Sequence, residues 1–502
     1  MKITAKQIEG TRQLFYAGGK WREPASGEYL ASFDPATGAS WYEQAACGRD
    51  DIDAAVAAAR SALGDPAWRT MTQADRGRLL FRLADLVTAH AAELAELECR
   101  DIGKLLKETS ALAVMMAETL RYWGGMADKI QGETIPLNKP DMLSFTRREP
   151  IGVVAAIVPW NSPLYVLGDS LAPALAIGNA LIVKPSEHAA ASALALAELV
   201  EEAGYPAGVY NVVTGLGNVA GEPLTRHVGV DKIVFTGGSA TGRRVAAAAA
   251  SHLVSCNLEL GGKSPNVIFA DANLDRAESG IVAGIFAASG QSCVAGSRIF
   301  VQEGVYDEVL DRLVAAAREI RVGHPVKPDT QLGPIALKEQ LEKVERYIKI
   351  GRHEGARLLA GGQRPEGHAT RAGWYFEPTV FADVDNAMRI AQEEIFGPVA
   401  SVIKFSSEAE LIRLANATPF GLAAGIWTSD IDKALRFAER IDAGTVWINT
   451  YRSLAHTTPF GGFKQSGYGK LRGLEAIREF TRTKSVIVDY SGQSQDPFVP
   501  RT

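Results

Sequence analysis

The chain reads as an α/β protein whose parallel sheets are covered on both faces. Two observations carry this. Short apolar runs such as 152–158 and 180–183 lack the alternation of a half-exposed strand, as strands buried on both faces do. They alternate with helical stretches such as 164–177 and 190–203, which end on Gly178-Asn179 and Gly204. The 502 residues suffice for about three domain-sized units.

Taken in order, residues 50–125 read as helical. Asp50 or Asp51 can cap a helix over 52–63, and an alanine- and leucine-rich stretch follows over 73–106. Alternation begins at 152. Strands are expected at 152–158, 180–183, 210–213 and 232–235, with helices at 164–177, 190–203, 218–226 and 241–250. It resumes after Glu259, with strands at 266–269, 297–301, 400–405, 423–427 and 445–449. The helices between them fall at 274–288, 305–320, 340–351, 408–415 and 432–440. Residues 361–373 are polar and glycine-rich, the longest expected loop. Residues 483–490 alternate like an exposed strand, an edge that has to be paired and so a candidate subunit contact.

Composition excludes several classes. The net charge of -5 carries no basic nucleic-acid footprint and no acidic tail. Residues 1–15 mix charges and lack the apolar core of a secretory signal. No run approaches the ~18 apolar residues of a membrane span. The four cysteines, Cys47, Cys99, Cys256 and Cys293, form no Cys-x-x-Cys pair, and no His-Glu-x-x-His pattern exists. A cytoplasmic protein with reduced thiols, no metal, no nucleic acid and no membrane is expected.

Five segments carry candidate chemistry. Cys293 stands among small residues in Gly290-Gln291-Ser292-Cys293-Val294, after an apolar run. Such a thiol is either a small buried hydrophobe or a nucleophile, and with a pKa of ~8.5 a nucleophile needs partners. Glu259, between Leu258 and Leu260, is a general base raised by burial or a salt-bridge partner of Lys263. Asn161, in Pro159-Trp160-Asn161-Ser162-Pro163, can donate to an oxyanion or simply form a turn. Thr236-Gly237-Gly238-Ser239 between a strand and a helix is a tight turn or a phosphate approach. Lys184-Pro185-Ser186-Glu187, at a strand's carboxyl end, is a solvated turn or a ribose site. The Gly-x-Gly-x-x-Ala match at Gly215-Leu216-Gly217 lies mid-sheet and is weak.

Seven segments together resemble the aldehyde dehydrogenase superfamily, and the match spans nearly the whole chain. They are Pro159-Trp160-Asn161, Lys184-Pro185-Ser186-Glu187, Phe235-Thr236-Gly237-Gly238, Glu259-Leu260-Gly261-Gly262-Lys263, Gly290-Gln291-Ser292-Cys293, Glu393-Glu394-Ile395-Phe396-Gly397-Pro398 and Pro459-Phe460-Gly461-Gly462. The resemblance implies two doubly wound parallel-sheet domains and a small β flap for oligomerisation. The NAD-binding domain would hold 1–131 and 151–258, the catalytic domain 259–465, and the flap 132–150 and 481–495. It implies a homodimer or homotetramer.

The resemblance also implies roles. Cys293 attacks an aldehyde, Asn161 and the Cys293 main-chain N–H hold the oxyanion, hydride passes to NAD, and Glu259 activates water against the thioester. Lys184 and Glu187 bind the adenosine ribose, with Glu187 favouring NAD over NADP. Glu394 and Phe396 meet the nicotinamide ribose. Trp160, Ser186, Gly217, Gly237, Gly238 and Gly242, with Leu260 and Gly261, complete the cofactor set. Ser162, Tyr165, Asp169, Ser292, Val294 and Arg452, with Leu454 and Phe460, line the aldehyde tunnel.

Departures from the family pattern shape the remaining expectations. A lysine and a glutamate that pair in many relatives as a proton exit are here Ser170 and Leu471, so Glu259 is expected to lose its proton through water or Asp169. Ser162 and Asp169 stand where aromatic residues are usual. A polar or hydroxylated aldehyde is expected, or an amino aldehyde drawn to Asp169; an Asp169–Arg452 pair would instead leave the tunnel neutral. The alternatives are a coenzyme-A-acylating enzyme, a non-catalytic protein on the same fold, and a cysteine hydrolase.

Overall fold

The computed structural model describes residues 2–367, 370–494 and 496–498. Residues 1 and 495 of the expected domains, and 368 and 369 of the expected loop, lie outside them. Two large sheets organise the chain. The first runs in the order Gly467–Tyr468, Ser255–Glu259, Lys232–Thr236, Val153–Ile157, Ala180–Lys184, Tyr210–Val212, Phe15–Ala17, Lys20–Arg22. Its central strands are parallel, and antiparallel pairs close both edges. Val153 to Ala156 are fully buried, as a wholly apolar strand under helices on both faces must be. The chain winds outward from Val153–Ile157 in one direction and returns on its other side through Lys232–Thr236. The gap between those two strands is therefore a topological switch point, where ligands of open α/β sheets bind.

The second sheet runs Arg357–Ala360, Thr379–Ala382, Val399–Phe405, Arg298–Gln302, Pro265–Ile268, Ala423–Trp427, Thr445–Ile448, antiparallel only at its first pair. The segments entering Pro265–Ile268, Arg298–Gln302 and Val399–Phe405 bring the amino edge of this sheet against the carboxyl edge of the first. Thr481–Asp489 pairs antiparallel with Met142–Pro150 over its whole length, and Thr134–Ile135 completes that small sheet.

The main helices match the expected ones within a few residues, and the differences have local causes. Helix Arg49–Gly64 starts at Gly48, not at Asp50 or Asp51; the Asp51 carboxylate accepts the Gly48 N–H at 2.9 Å and the Ala25 N–H at 3.0 Å. The 73–106 stretch splits into Gln73–Ala89, Ala91–Ile102 and the start of Leu106–Met126, because one helix of that length would outrun the core it covers. The 218–226 helix opens with a wide turn over Gly217–Gly221 before Glu222–Thr225. Ser255–Glu259 and the strands before residue 46 escaped the apolar pattern because they are short, partly polar and near sheet edges.

Asn179 ties this architecture behind the switch point. It is fully buried. Its Oδ1 accepts the Gly152 N–H at 2.9 Å, and its Nδ2 donates to the carbonyls of Ala174 at 3.2 Å and Phe480 at 3.1 Å. Asn179→Ala leaves the Gly152 N–H unsatisfied and takes one bond from each carbonyl, which keep backbone partners, and costs about 2 kcal/mol. Thermal unfolding should show a midpoint lowered by several degrees; an unchanged midpoint would contradict the role.

Candidate active site

Two cavities meet at the switch point, sharing Pro159, Trp160, Thr236 and Gly237 as a common wall. The first, of about 470 Å³, is bordered by Cys293, Glu259 and Asn161. The second, of about 580 Å³, runs past Lys184, Ser186, Glu187 and Gly217.

The nucleophile's position follows from the chain before it. Helix Leu274–Ile285 stops short of the expected end at 288 because Ala288 and Ser289 are left-handed, with φ of 54° and 55°. Such residues cost roughly 1–2 kcal/mol each and persist only where surroundings hold them. Here Glu108 accepts the Ala288 N–H at 2.9 Å, Ser289 Oγ donates to the Gly333 carbonyl at 2.8 Å, and Gln291 Oε1 accepts the Ala336 N–H at 2.9 Å. Gly290 has a φ of 71°, and a Cβ there would lie 2.1 Å from the Gly397 carbonyl oxygen, so no other residue fits. A Cβ on Gly262 would likewise stand 2.5 Å from the Cys293 carbonyl oxygen.

Asn161 lies just before helix Pro163–Ile177, whose first turn is fixed by Glu98 accepting the Leu164 N–H at 2.6 Å. Its Nδ2 donates to the Gln291 carbonyl at 3.0 Å. An amide carries two N–H donors, so one remains for a ligand. From behind, buried Lys104 donates to the Asn161 carbonyl and to Ser162 Oγ, each at 2.6 Å.

Glu259 ends strand Ser255–Glu259. Both its oxygens are buried without a partner among the described residues, and so is Lys263 Nζ. The Glu259–Lys263 salt bridge is therefore not formed. Burial pushes the Glu259 carboxyl well above the usual range, while Lys470 and Arg472 pull it back. Burial also pushes the Cys293 thiol up to about 12, with Glu394 and Glu259 adding to it and Arg472 opposing.

The substrate candidates Ser162, Tyr165, Asp169, Ser292 and Val294, with Arg452, Leu454 and Phe460, all border the first cavity. Asp169 pairs with neither Arg452 nor open solvent. Arg472 Nε and Nη2 donate to its two oxygens at 2.8 Å each. Arg452 instead donates to the Ala283 carbonyl at 3.1 Å. An amino aldehyde drawn to Asp169 would have to displace a bidentate guanidinium.

The cofactor candidates divide between the two cavities, with one exception. Trp160 and Phe396 meet edge to face, ring centroids 5.3 Å apart, and Gly238, Leu260, Gly261 and Glu394 also border the first cavity. The Gly262 N–H donates to Glu394 Oε1 at 3.0 Å. Lys184 Nζ donates to Glu187 at 3.2 Å. Gly242 reaches neither cavity; it packs under Leu260, where a Cβ would clash at 2.6 Å, while Thr241 borders the second cavity in its place. Sequence reasoning missed Lys104, Glu108, Lys343 and Arg472 in the first cavity and Arg226 and Arg244 in the second. His188 also borders the second. A signal for Arg472 did exist: Asp169 inside an apolar helix demands a cation.

Among the described residues no histidine borders the first cavity, no group of side chains is arranged to hold a metal ion, and no helix is long and apolar enough to cross a membrane. The model of the aldehyde dehydrogenase family matches residues 21–486. The (Z)-2-((N-methylformamido)methylene)-5-hydroxybutyrolactone dehydrogenase of Acinetobacter baylyi is 45% identical over 489 residues, 97% of this chain and 99% of that one. Aldehyde dehydrogenase 1A1 of Gallus gallus is 45% identical over 478 residues, 94% of this chain and 92% of that one. The crystal structure of betaine aldehyde dehydrogenase from Staphylococcus aureus in complex with NAD+ superposes with a TM-score of 0.96 at 37% identity, covering 99% of both chains. The chain belongs to the aldehyde dehydrogenase family.

Proposed function

We propose that the chain oxidises a polar aldehyde to its carboxylic acid, with NAD as hydride acceptor. The carrying observation is the convergence of a thiol, an unpartnered buried carboxylate and a half-free amide on one cavity. That cavity opens at the switch point onto a second. The residues present fit NAD. Helix Ser239–Ala250 begins at Gly238 with no side-chain cap, leaving its first N–H groups for a pyrophosphate. A Cβ on Gly261 would lie 2.4 Å from Glu394 Oε2, so the backbone there lies tight against that carboxylate. Lys184 and Glu187 would hold the adenosine ribose, Glu187 disfavouring a 2′-phosphate. Glu394, Trp160 and Phe396 would hold the nicotinamide end. When bound, NAD supplies the hydride acceptor.

The chain's own groups do the rest. Cys293 Sγ gives up its proton to water and adds to the aldehyde carbon, and the free Asn161 N–H with the Cys293 main-chain N–H holds the oxyanion. After oxidation the acyl group remains on Cys293 as a thioester. Glu259, its carboxyl raised by burial, takes a proton from water as that water attacks the thioester carbon; the C–S bond breaks, releasing the acid and returning Cys293 Sγ. The carboxylate beside Cys293 favours hydrolysis over transfer to coenzyme A, and the absence of a bordering histidine among the described residues disfavours a cysteine hydrolase. The Glu259 proton leaves through water, since Arg472 occupies both Asp169 oxygens. Residues 1–131 with 151–258, residues 259–465, and residues 132–150 with 481–495 form the three functional units. The terminal strand joins a homodimer or homotetramer in the cytoplasm.

NADH absorbance with an aldehyde panel tests the reading. Cys293→Ala should abolish NADH formation. Glu259→Gln should give a burst of about one NADH per chain and then turnover slowed about 100-fold or more; steady turnover at the parental rate would overturn the base assignment.

The raised thiol has a second consequence. A pKa shifted upward means that the thiolate is scarce at neutral pH and grows about tenfold per pH unit below that pKa. Alkylation of Cys293 by iodoacetamide, followed by mass spectrometry, should rise with near-unit slope from about pH 7 to pH 10. A plateau below about pH 9 would contradict the burial argument.

A further inference from the structure

The first cavity holds one feature that the proposed reaction does not use. Arg472 stands in its wall with a buried guanidinium, its side chain 4% exposed. Two of its three nitrogens are spent on Asp169. The third, Nη1, is buried and makes no hydrogen bond among the described residues, although the Tyr165 hydroxyl lies near enough for the guanidinium to act on it. The guanidinium is clamped between the rings of Tyr165 and Phe460, 4.6 and 4.8 Å from their centroids. Its backbone is left-handed, with φ of 68°, where glycine would sit without strain. A position shaped only for the chain's course would not need this side chain.

The surroundings sharpen its meaning. Met115, Val166, Leu454 and Leu471 make the nearby wall apolar. In such a wall a single fixed donor sets orientation and specificity. A buried N–H left unmatched is costly, so the site discriminates against a ligand that cannot accept from it. The Arg472–Asp169 pair is neutral as a unit. Glu108 and Glu259 border the same cavity and oppose a further carboxylate, while Lys104 and Arg452 oppose an ammonium. Arg472 and Cys293 border the same cavity, so one aldehyde chain can meet both.

We infer that Arg472 is a specificity-determining residue whose Nη1 donates to a neutral carbonyl or hydroxyl oxygen on the chain of the aldehyde substrate, with Asp169, Tyr165 and Phe460 holding the guanidinium in place. This rests on the proposed aldehyde oxidation and names its substrate class.

The test compares aldehydes of matched length on one enzyme: β-hydroxybutyraldehyde against butyraldehyde, and levulinic aldehyde against valeraldehyde, with succinic semialdehyde as the carboxylate arm. The readout is the ratio of kcat/KM values, in which a general loss of activity cancels. The parent should favour the acceptor-bearing member by about 10- to 100-fold. The double variant Asp169→Leu/Arg472→Leu, which buries no lone charge, should bring the ratio to about 1. Arg472→Lys keeps the ion pair but offers no second fork, and should also collapse the ratio. A parental ratio near one, a ratio that survives in either variant, or a preference for succinic semialdehyde would overturn the inference while leaving aldehyde oxidation intact. No NADH from any aldehyde would instead overturn the reading beneath it, and this inference with it.

Discussion

The hydrogen bond from the Asn161 amide to the Gln291 carbonyl is the contact on which the rest of the site depends. Asn161 belongs to the carboxyl edge of the first sheet, and Gln291 to the segment that feeds the second. Joined, they put the oxyanion donor two residues from the nucleophile and use one N–H while leaving the other free. Both partners are held from behind. Lys104 fixes the Asn161 carbonyl, and Glu108 and Gly333 fix the left-handed turn before Cys293. The strain at Ala288 and Ser289 is local, but the groups that hold it come from other parts of the chain. The nucleophile is thus only as well placed as the docking of the two sheets.

Desolvation sets the chemistry of what is docked there. Cys293 and Glu259 are both pushed up by burial, and each carboxylate near the thiol pushes it further. An anion on both at once is unfavourable, so the two groups act in turn, the thiol in attack and the carboxylate in hydrolysis. Lys470 and Arg472 moderate this by drawing Glu259 down. A drier site would push Glu259 up further; a wetter one would let it fall back and make it a weaker base.

Local pattern carried the alternation of strands and helices, because strands buried on both faces must be apolar and helices must end somewhere definite. Gly178 and Gly204 marked two ends well. The splits at His90 and at Ala288 were not legible, since each answers to packing against distant segments. The site motifs were legible as chemistry but not as pairings. Glu259 and Lys263 are four residues apart and do not meet, whereas Asp169 and Arg472 are 303 apart and do. Gly242 shows the converse, a motif glycine that packs under Leu260 and borders neither cavity.

The departures from the family pattern resolve into one displacement. The expected lysine and glutamate at positions 170 and 471 are a buried serine and leucine. A charge pair exists one residue away on each element, at 169 and 472, with its signs exchanged. On helix Pro163–Ile177 one residue is a rotation of about 100°, so the pair faces a different part of the site from the one it would have faced at 170. The acid is now in the helix and the base in the loop, with the guanidinium packed on two aromatic rings. Both members of the displaced pair reach Glu259. The displaced pair therefore acts on Glu259 in both senses, Arg472 drawing it down and Asp169 pushing it up, with burial the larger effect.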